Sequence, residues 1–128
     1  MKNDNIILDK SKAFALRIIK LYKYLCDNKN EFILSKQILR SGTSIGANVK
    51  EAQHGQSKKD FVSKMHIAYK EANETEYWLE LLFESDYIDN NTFNILITDN
   101  KEILKLLTSI IKSAKKQLTM NNEKNANL

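Results

Sequence analysis

Proline is absent from this sequence and glycine occurs only three times, at Gly42, Gly46 and Gly55. Proline breaks a helix by removing an N–H and clashing with the preceding turn, and glycine by backbone entropy, so their scarcity leaves long helices uninterrupted. It also argues against an all-β chain, whose frequent turns draw on these two residues. Cysteine is nearly missing as well. Cys26 stands alone, which excludes an internal disulfide and any multi-cysteine metal site and points to a reducing, cytoplasmic setting. The first apolar cluster, Ile6 to Leu8, is too short for a signal-peptide core or a membrane span, so no membrane partner is expected. A chain of 128 residues has room for one domain.

Catalytic equipment is equally sparse. His54 and His66 are the only imidazoles, no glycine-rich loop is present to cradle a phosphate, and Asp27 beside Cys26 gives no reason for a reactive thiol. Glu51 and His54 have the Glu-x-x-His spacing that di-iron bundles use, but such sites need a second pair, and Ser63 stands three residues before His66. A metal-dependent bundle enzyme is therefore the weakest of three functional readings. No catalytic residue, metal or other cofactor is assigned.

What is present is helical periodicity. The first helix is expected from Asp9, as N-cap, to Asp27, with Phe14, Ile18, Leu21, Tyr22 and Leu25 on one side, leaving residues 1–8 as a lead. The second starts near Ser35 and runs to about Gly55 along Leu34, Ile38, Ile45, Val49 and Ala52. Its small-residue stretch, Ser41 to Ala47, admits three readings: close helix packing, a functional groove, or a break. Ser57 and Asp60 resemble a capping box for the third helix, after which Phe61, Met65, Ala68, Ala72, Thr75, Leu79 and Leu82 alternate steps of four and three. That alternation favours helices packed at roughly 20°. The fourth spans about Thr92 to Leu118 with Leu96, Ile103, Leu107, Ile110, Ala114 and Leu118 on one side, and the Asn-rich residues 119–128 are expected to be disordered. The fold class is all-α: an antiparallel up-down-up-down four-helix bundle over residues 9–118.

Charge is unevenly spread. Residues 1–60 carry 12 Lys/Arg against 6 Asp/Glu, whereas residues 61–118 carry 7 against 9. Lys101, Lys105, Lys112, Lys115 and Lys116 fall on one sector of the fourth helix, and Lys12, Arg17, Lys20 and Lys23 supply cations on the first. Repeated cations without base-reading groups suit a surface that tracks RNA or DNA phosphates; a merely solvated lysine face is the competing reading. The third helix has the opposite sign, with Glu76, Glu80 and Glu84 beside its seam and Tyr77, Trp78 and Leu81 off it. An additional aromatic face suggests burial against another chain, and an acidic helix meeting a basic one head-to-tail predicts a cyclic homo-oligomer. Alternatively, Trp78 wraps the edge of its own core.

The run Ser41-Gly-Thr-Ser-Ile-Gly-Ala-Asn48-Val-Lys-Glu51-Ala, followed by Ser57, Phe61, Lys64, Ala68, Glu71 and Glu76-Tyr-Trp-Leu-Glu-Leu-Leu82, resembles the four-helix proteins encoded in intervening sequences of bacterial 23S ribosomal RNA genes. The resemblance spans about residues 9–118. That family is similar to the accessory variability determinant of diversity-generating retroelements, a basic homopentamer associated with nucleic acid and a reverse transcriptase, so the resemblance implies a pentamer. Its motif residues Ser41, Ser44, Asn48 and Glu51 share one polar line of the second helix, able either to fix the bundle register through inter-helix hydrogen bonds or to line a binding surface. The expected function is a non-enzymatic oligomeric binding or scaffold protein engaging RNA or DNA through its lysine faces. The alternative is a protein-binding adaptor that uses the Trp78 face and no nucleic acid.

Overall fold

The computed structural model describes residues 2–126, which form four helices: α1 (Lys2–Lys29), α2 (Leu34–Gln53), α3 (Lys58–Glu84) and α4 (Asn90–Ala126). Each helix packs on its two neighbours in a square, α1 on α2, α2 on α3, α3 on α4 and α4 back on α1, and among the described residues no diagonal pair meets. Ion pairs fix the directions. Arg40 of α2 reaches Glu71 at 3.1 Å while Glu51, later in α2, is met at 2.8 Å by Lys64, earlier in α3. The bundle is thus antiparallel, up-down-up-down.

The core is built from the seams. Met65, Ala68, Ala72, Thr75, Leu79 and Leu82 of α3 are all fully buried, with Phe61 half-buried at the seam's start. Phe14, Ile18, Leu21 and Leu25 of α1, Ile38, Ile45 and Val49 of α2, and Ile103, Leu107 and Ile110 of α4 close the interior. The small stretch of α2 is neither a break nor a groove. Gly42 lies so close against Ile18 that a Cβ there would collide, which lets α1 approach α2, whereas Gly46 faces Ser11 with room for a Cβ.

Both ends of the chain depart from expectation. Helix α1 begins by Lys2, so the expected lead at residues 1–8 is helical from residue 2 and Asp9 is an interior helix position, not a cap. The cause is visible in the pattern: Ile7, Ser11, Phe14, Ile18, Leu21 and Leu25 keep the 4-3 spacing, and Ile7 is fully buried. Helix α4 continues to Ala126 where a disordered tail was expected; residues 127 and 128 lie outside the described residues, as does Met1. No glycine or proline stops it, and its last turns, residues 119–126, are exposed.

The turns are closed by specific hydrogen bonds. Ser57 caps α3, its hydroxyl accepting from the Asp60 N–H at 3.1 Å. Asp86, at φ 67°, ends α3 in a Schellman arrangement, with Tyr87 N–H donating to the Leu82 carbonyl at 2.9 Å and Asp86 N–H to that of Phe83 at 3.1 Å. Asp89 then accepts from the Thr92 N–H at 2.8 Å, which holds its carboxyl below its ordinary range. Helix α2 is not capped by Ser35, which is buried inside it. The Glu31 carboxylate instead accepts from the N–H groups of Ile33, Leu34 and Ser35 at 2.9, 3.2 and 2.8 Å.

Candidate nucleic-acid interface

Helices α1 and α4 are adjacent and share the positive charge: within α4 six lysines face three acidic residues, and within α1 seven Lys/Arg face three. Lys12, Arg17, Lys20, Lys23, Lys101, Lys105, Lys112, Lys115 and Lys116 are all exposed. Arg17 differs from the rest, because it bonds Asp99 and, with the Lys10–Glu102 pair at 2.9 Å, stitches the α1–α4 seam. Among the described residues the eight lysines of the two stripes form no ion pair.

The antiparallel register sets the two stripes end to end. Lys10 opposite Glu102 and Arg17 opposite Asp99 place Lys105, Lys112 and Lys116 beside and beyond the start of α1, while Lys20 and Lys23 lie toward the start of α4. Steps of about 100° per residue turn Lys105, Lys112 and Lys116 straight outward and Lys101 and Lys115 toward the α3 flank. There Lys101 and Lys105 border a shallow hollow of about 580 Å³ with Tyr69. The outcome is a cationic strip along α1 and α4.

The five expected interface residues do not share one face. Glu76 and Trp78 stand about 200° apart on the helix. Trp78 is half-buried against the core of its own bundle, its indole N–H shielded from solvent and close enough to the Glu74 carboxylate to assist Arg40 in holding it below its usual range. Tyr77 is exposed, touching the Trp78 ring at 5.3 Å between centroids; Glu80 is exposed, and Glu76 and Leu81 are half-buried.

The polar line of α2 divides by depth. The Ser41 hydroxyl, fully buried, bonds that of Thr75 across to α3 at 2.9 Å. Ser44 donates to the Arg40 carbonyl at 2.5 Å and Asn48 to the Ser44 carbonyl at 2.8 Å, both within α2. Glu51 pairs with Lys64 of α3 at 2.8 Å on the surface. Among the described residues no three His, Cys, Asp or Glu side chains converge as a metal site. Each of the four motif side chains bonds within the chain, Ser41 in the core and Ser44, Asn48 and Glu51 nearer the surface.

Reading by pattern also misses a cluster on the α2–α3 flank. Arg40 bonds both Glu71 and Glu74, and it is chiefly Arg40, working against burial, that holds the Glu74 carboxyl below its usual range. A depressed carboxyl contributes stability that is full above its unfolded value and lost as pH falls through the folded one. With these side chains partly exposed the contribution is below about 1 kcal/mol. Chemical denaturation below about pH 5 is therefore expected to show a shallower loss of stability for Arg40→Met than for the parent, and parallel acid limbs would contradict it.

With that geometry in place, known proteins bear on the chain. Residues 3–109 match the family described as 23S rRNA-intervening sequence protein. The chain belongs to that family. It is 57% identical to a protein of unknown function from the S23 ribosomal protein family of Bacteroides thetaiotaomicron VPI-5482, whose crystal structure superposes with a TM-score of 0.85 over 86% of this chain and 98% of that one. No curated protein matches. The family carries no known enzymatic activity, and no helix among the described residues is long and apolar enough to cross a membrane.

Proposed function

We propose that this member of the intervening-sequence family is a non-enzymatic binding protein whose α1–α4 side tracks nucleic-acid phosphates, with RNA as the first ligand to test. The observation that carries the reading is the set of eight exposed lysines on two adjacent helices, none of them in an ion pair among the described residues. Cations held for bundle stability would be spent on neighbouring carboxylates, as Lys10, Arg17, Arg40 and Lys64 are. Unpaired cations in a row attract phosphates at long range and release their condensed counterions on contact.

We further propose that the protein works as a ring, expected to be a pentamer, in which the outward Tyr77 and the acids of α3 meet Lys101 and Lys115 of the next copy. The opposed charges of α3 and α4 support this, and Lys105, Lys112 and Lys116 remain free for phosphate. Repeating the strip around a ring multiplies weak contacts by avidity.

Affinity for a structured RNA hairpin, measured against salt, tests the first proposal. The logarithm of the binding constant should fall with log salt at a slope of about −4 to −6, and Lys105→Gln, Lys112→Gln and Lys116→Gln together should reduce that slope by about 2–3. Millimolar binding with no salt dependence, or an unchanged slope in the triple variant, would overturn it. Native mass measured on the same samples should give five copies; a monomer at micromolar concentration sinks the ring alone.

A further inference from the structure

We infer that the turn between α1 and α2 is a docking knob for a second copy of this chain, which receives it in the cleft at the opposite end of its bundle. Phe32 and Ile33 stand side by side in this turn with 52% and 76% of their surface exposed, Ile33 more than any other large apolar side chain described. They are held out. Asn30 takes a left-handed conformation at φ 52°, Glu31 N–H donates to the Leu25 carbonyl at 3.0 Å, and the Glu31 carboxylate, itself buried, fixes the first three amides that follow Phe32. The Ser35 hydroxyl adds a bond to the Glu31 carbonyl at 2.8 Å. A turn so fully bonded cannot fold its two apolar side chains inward, and a rigid apolar pair loses little entropy on docking.

The opposite end of the rod offers the complement. Between the α2–α3 turn, the start of α1 and the late turns of α4 lies a cleft of about 430 Å³, floored by Ala52, Phe61, Ile110 and Ala114. Small residues at the floor create the room, and Lys58, 5.5 Å above the Phe61 ring, stands at the rim. The ends also differ in charge. The knob end of the rod carries exposed Asp27, Glu84, Asp86 and Asp89 against Lys29 and Lys36, whereas the cleft end carries Lys50, Lys58, Lys59, Lys112, Lys115 and Lys116 against Asp4, Glu51 and Asp60, with Lys58 and Asp4 lining the cleft itself. Acidic knob and basic cleft on one chain suit a head-to-tail contact between copies, and a contact this small is weak and concentration-dependent.

Sedimentation velocity from micromolar to millimolar protein provides the test, and it is separable from the ring because the mass at low concentration reports the ring and only the rise with concentration reports the knob. The wild-type mass should rise. Phe32→Ser with Ile33→Ser, with a melting curve confirming that the variant stays folded, should weaken the association by more than about tenfold, and Gln117→Trp at the cleft should do the same. In a Cys26→Ser background, copies carrying Ile33→Cys mixed with copies carrying Gln117→Cys should give the mixed disulfide on mild oxidation. A mass independent of concentration, a double serine variant that associates like the parent, or disulfides only between like copies would each overturn the inference.

Discussion

Replacing Gly42 with alanine is expected to destabilise the protein, although alanine is the better helix former by about 1 kcal/mol. A Cβ built at Gly42 would sit 2.9 Å from both Cγ1 and Cγ2 of Ile18 and 3.2 Å from its Cβ. These atoms cannot swing aside, because Ile18 is β-branched, stiff at χ1 and fully buried. Overpacking of that kind costs roughly 1–3 kcal/mol, enough to outweigh the propensity gain. Gly42→Leu adds three more carbons to the same collision and should consume most of the 5–15 kcal/mol that keeps an ordinary domain folded. One turn further along α2 lies the control for this claim. At Gly46 the nearest atoms to an added Cβ are those of Ser11 at 3.4 Å, an ordinary contact, so Gly46→Ala should raise stability by up to about 1 kcal/mol. Urea denaturation of the three variants reads the difference directly. If Gly42→Ala proves more stable than the parent, α1 and α2 are free to separate at this level, and the close approach assigned to the small stretch is wrong.

The same stretch shows what a sequence discloses and what it withholds. Composition and spacing alone leave Ser41 to Ala47 open to close packing, a groove or a break, since all three use small residues. Only the identity of the facing residue, Ile18 on a helix 24 positions earlier, decides among them. The seam of α3 needs no such information, because its six buried positions follow from the 3–4 alternation of one continuous segment. The start of α1 was legible too, as the spacing runs back through Ser11 to Ile7, but a serine among the apolar residues hides it until its hydroxyl is seen donating to the Ile7 carbonyl at 2.6 Å. The cap of α2 was not legible. Capping rules look for a short polar side chain at the N-cap, and here an isoleucine occupies it while a glutamate two residues earlier curls over the helix end.

For the candidate site, the lysine stripes were legible because exposure follows from their position opposite the seams. Their freedom was not. Arg17 lies on α1 like the others, yet it is drawn into the α1–α4 seam by Asp99, a partner 82 residues away that no local pattern reveals. Trp78 misleads for the related reason that one wheel treats α3 as packing along one line. In a square bundle each helix has two neighbours, so a residue about 90° off the seam is covered by α2 instead of facing water.

A buried amide carries the second large effect. Asn100 of α4 is fully buried and donates through Nδ2 to the Ala72 carbonyl of α3 at 2.9 Å, while its Oδ1 has no partner among the described residues. Leucine at this position removes the unpaired acceptor, and the Ala72 carbonyl loses only a bond additional to that of its own helix. Asn100→Leu should therefore leave stability unchanged or raise it by about 1–2 kcal/mol. Asn100→Asp should do the reverse. It deletes the donor and sets a carboxyl against the Ala72 carbonyl in an apolar interior, where the charged form is penalised and the folded-state pKa is pushed up. The sign then follows: a carboxyl whose pKa is raised by folding costs little while protonated and progressively more as pH rises above its unfolded value near 4. At neutral pH the loss should reach about 3–5 kcal/mol, the scale of an uncompensated buried charge, and the variant should regain stability on acidification while the parent does not. Equal losses for Asn100→Leu and Asn100→Asp, independent of pH, would show that Oδ1 is satisfied in solution and that the amide is a bonded pin between α3 and α4.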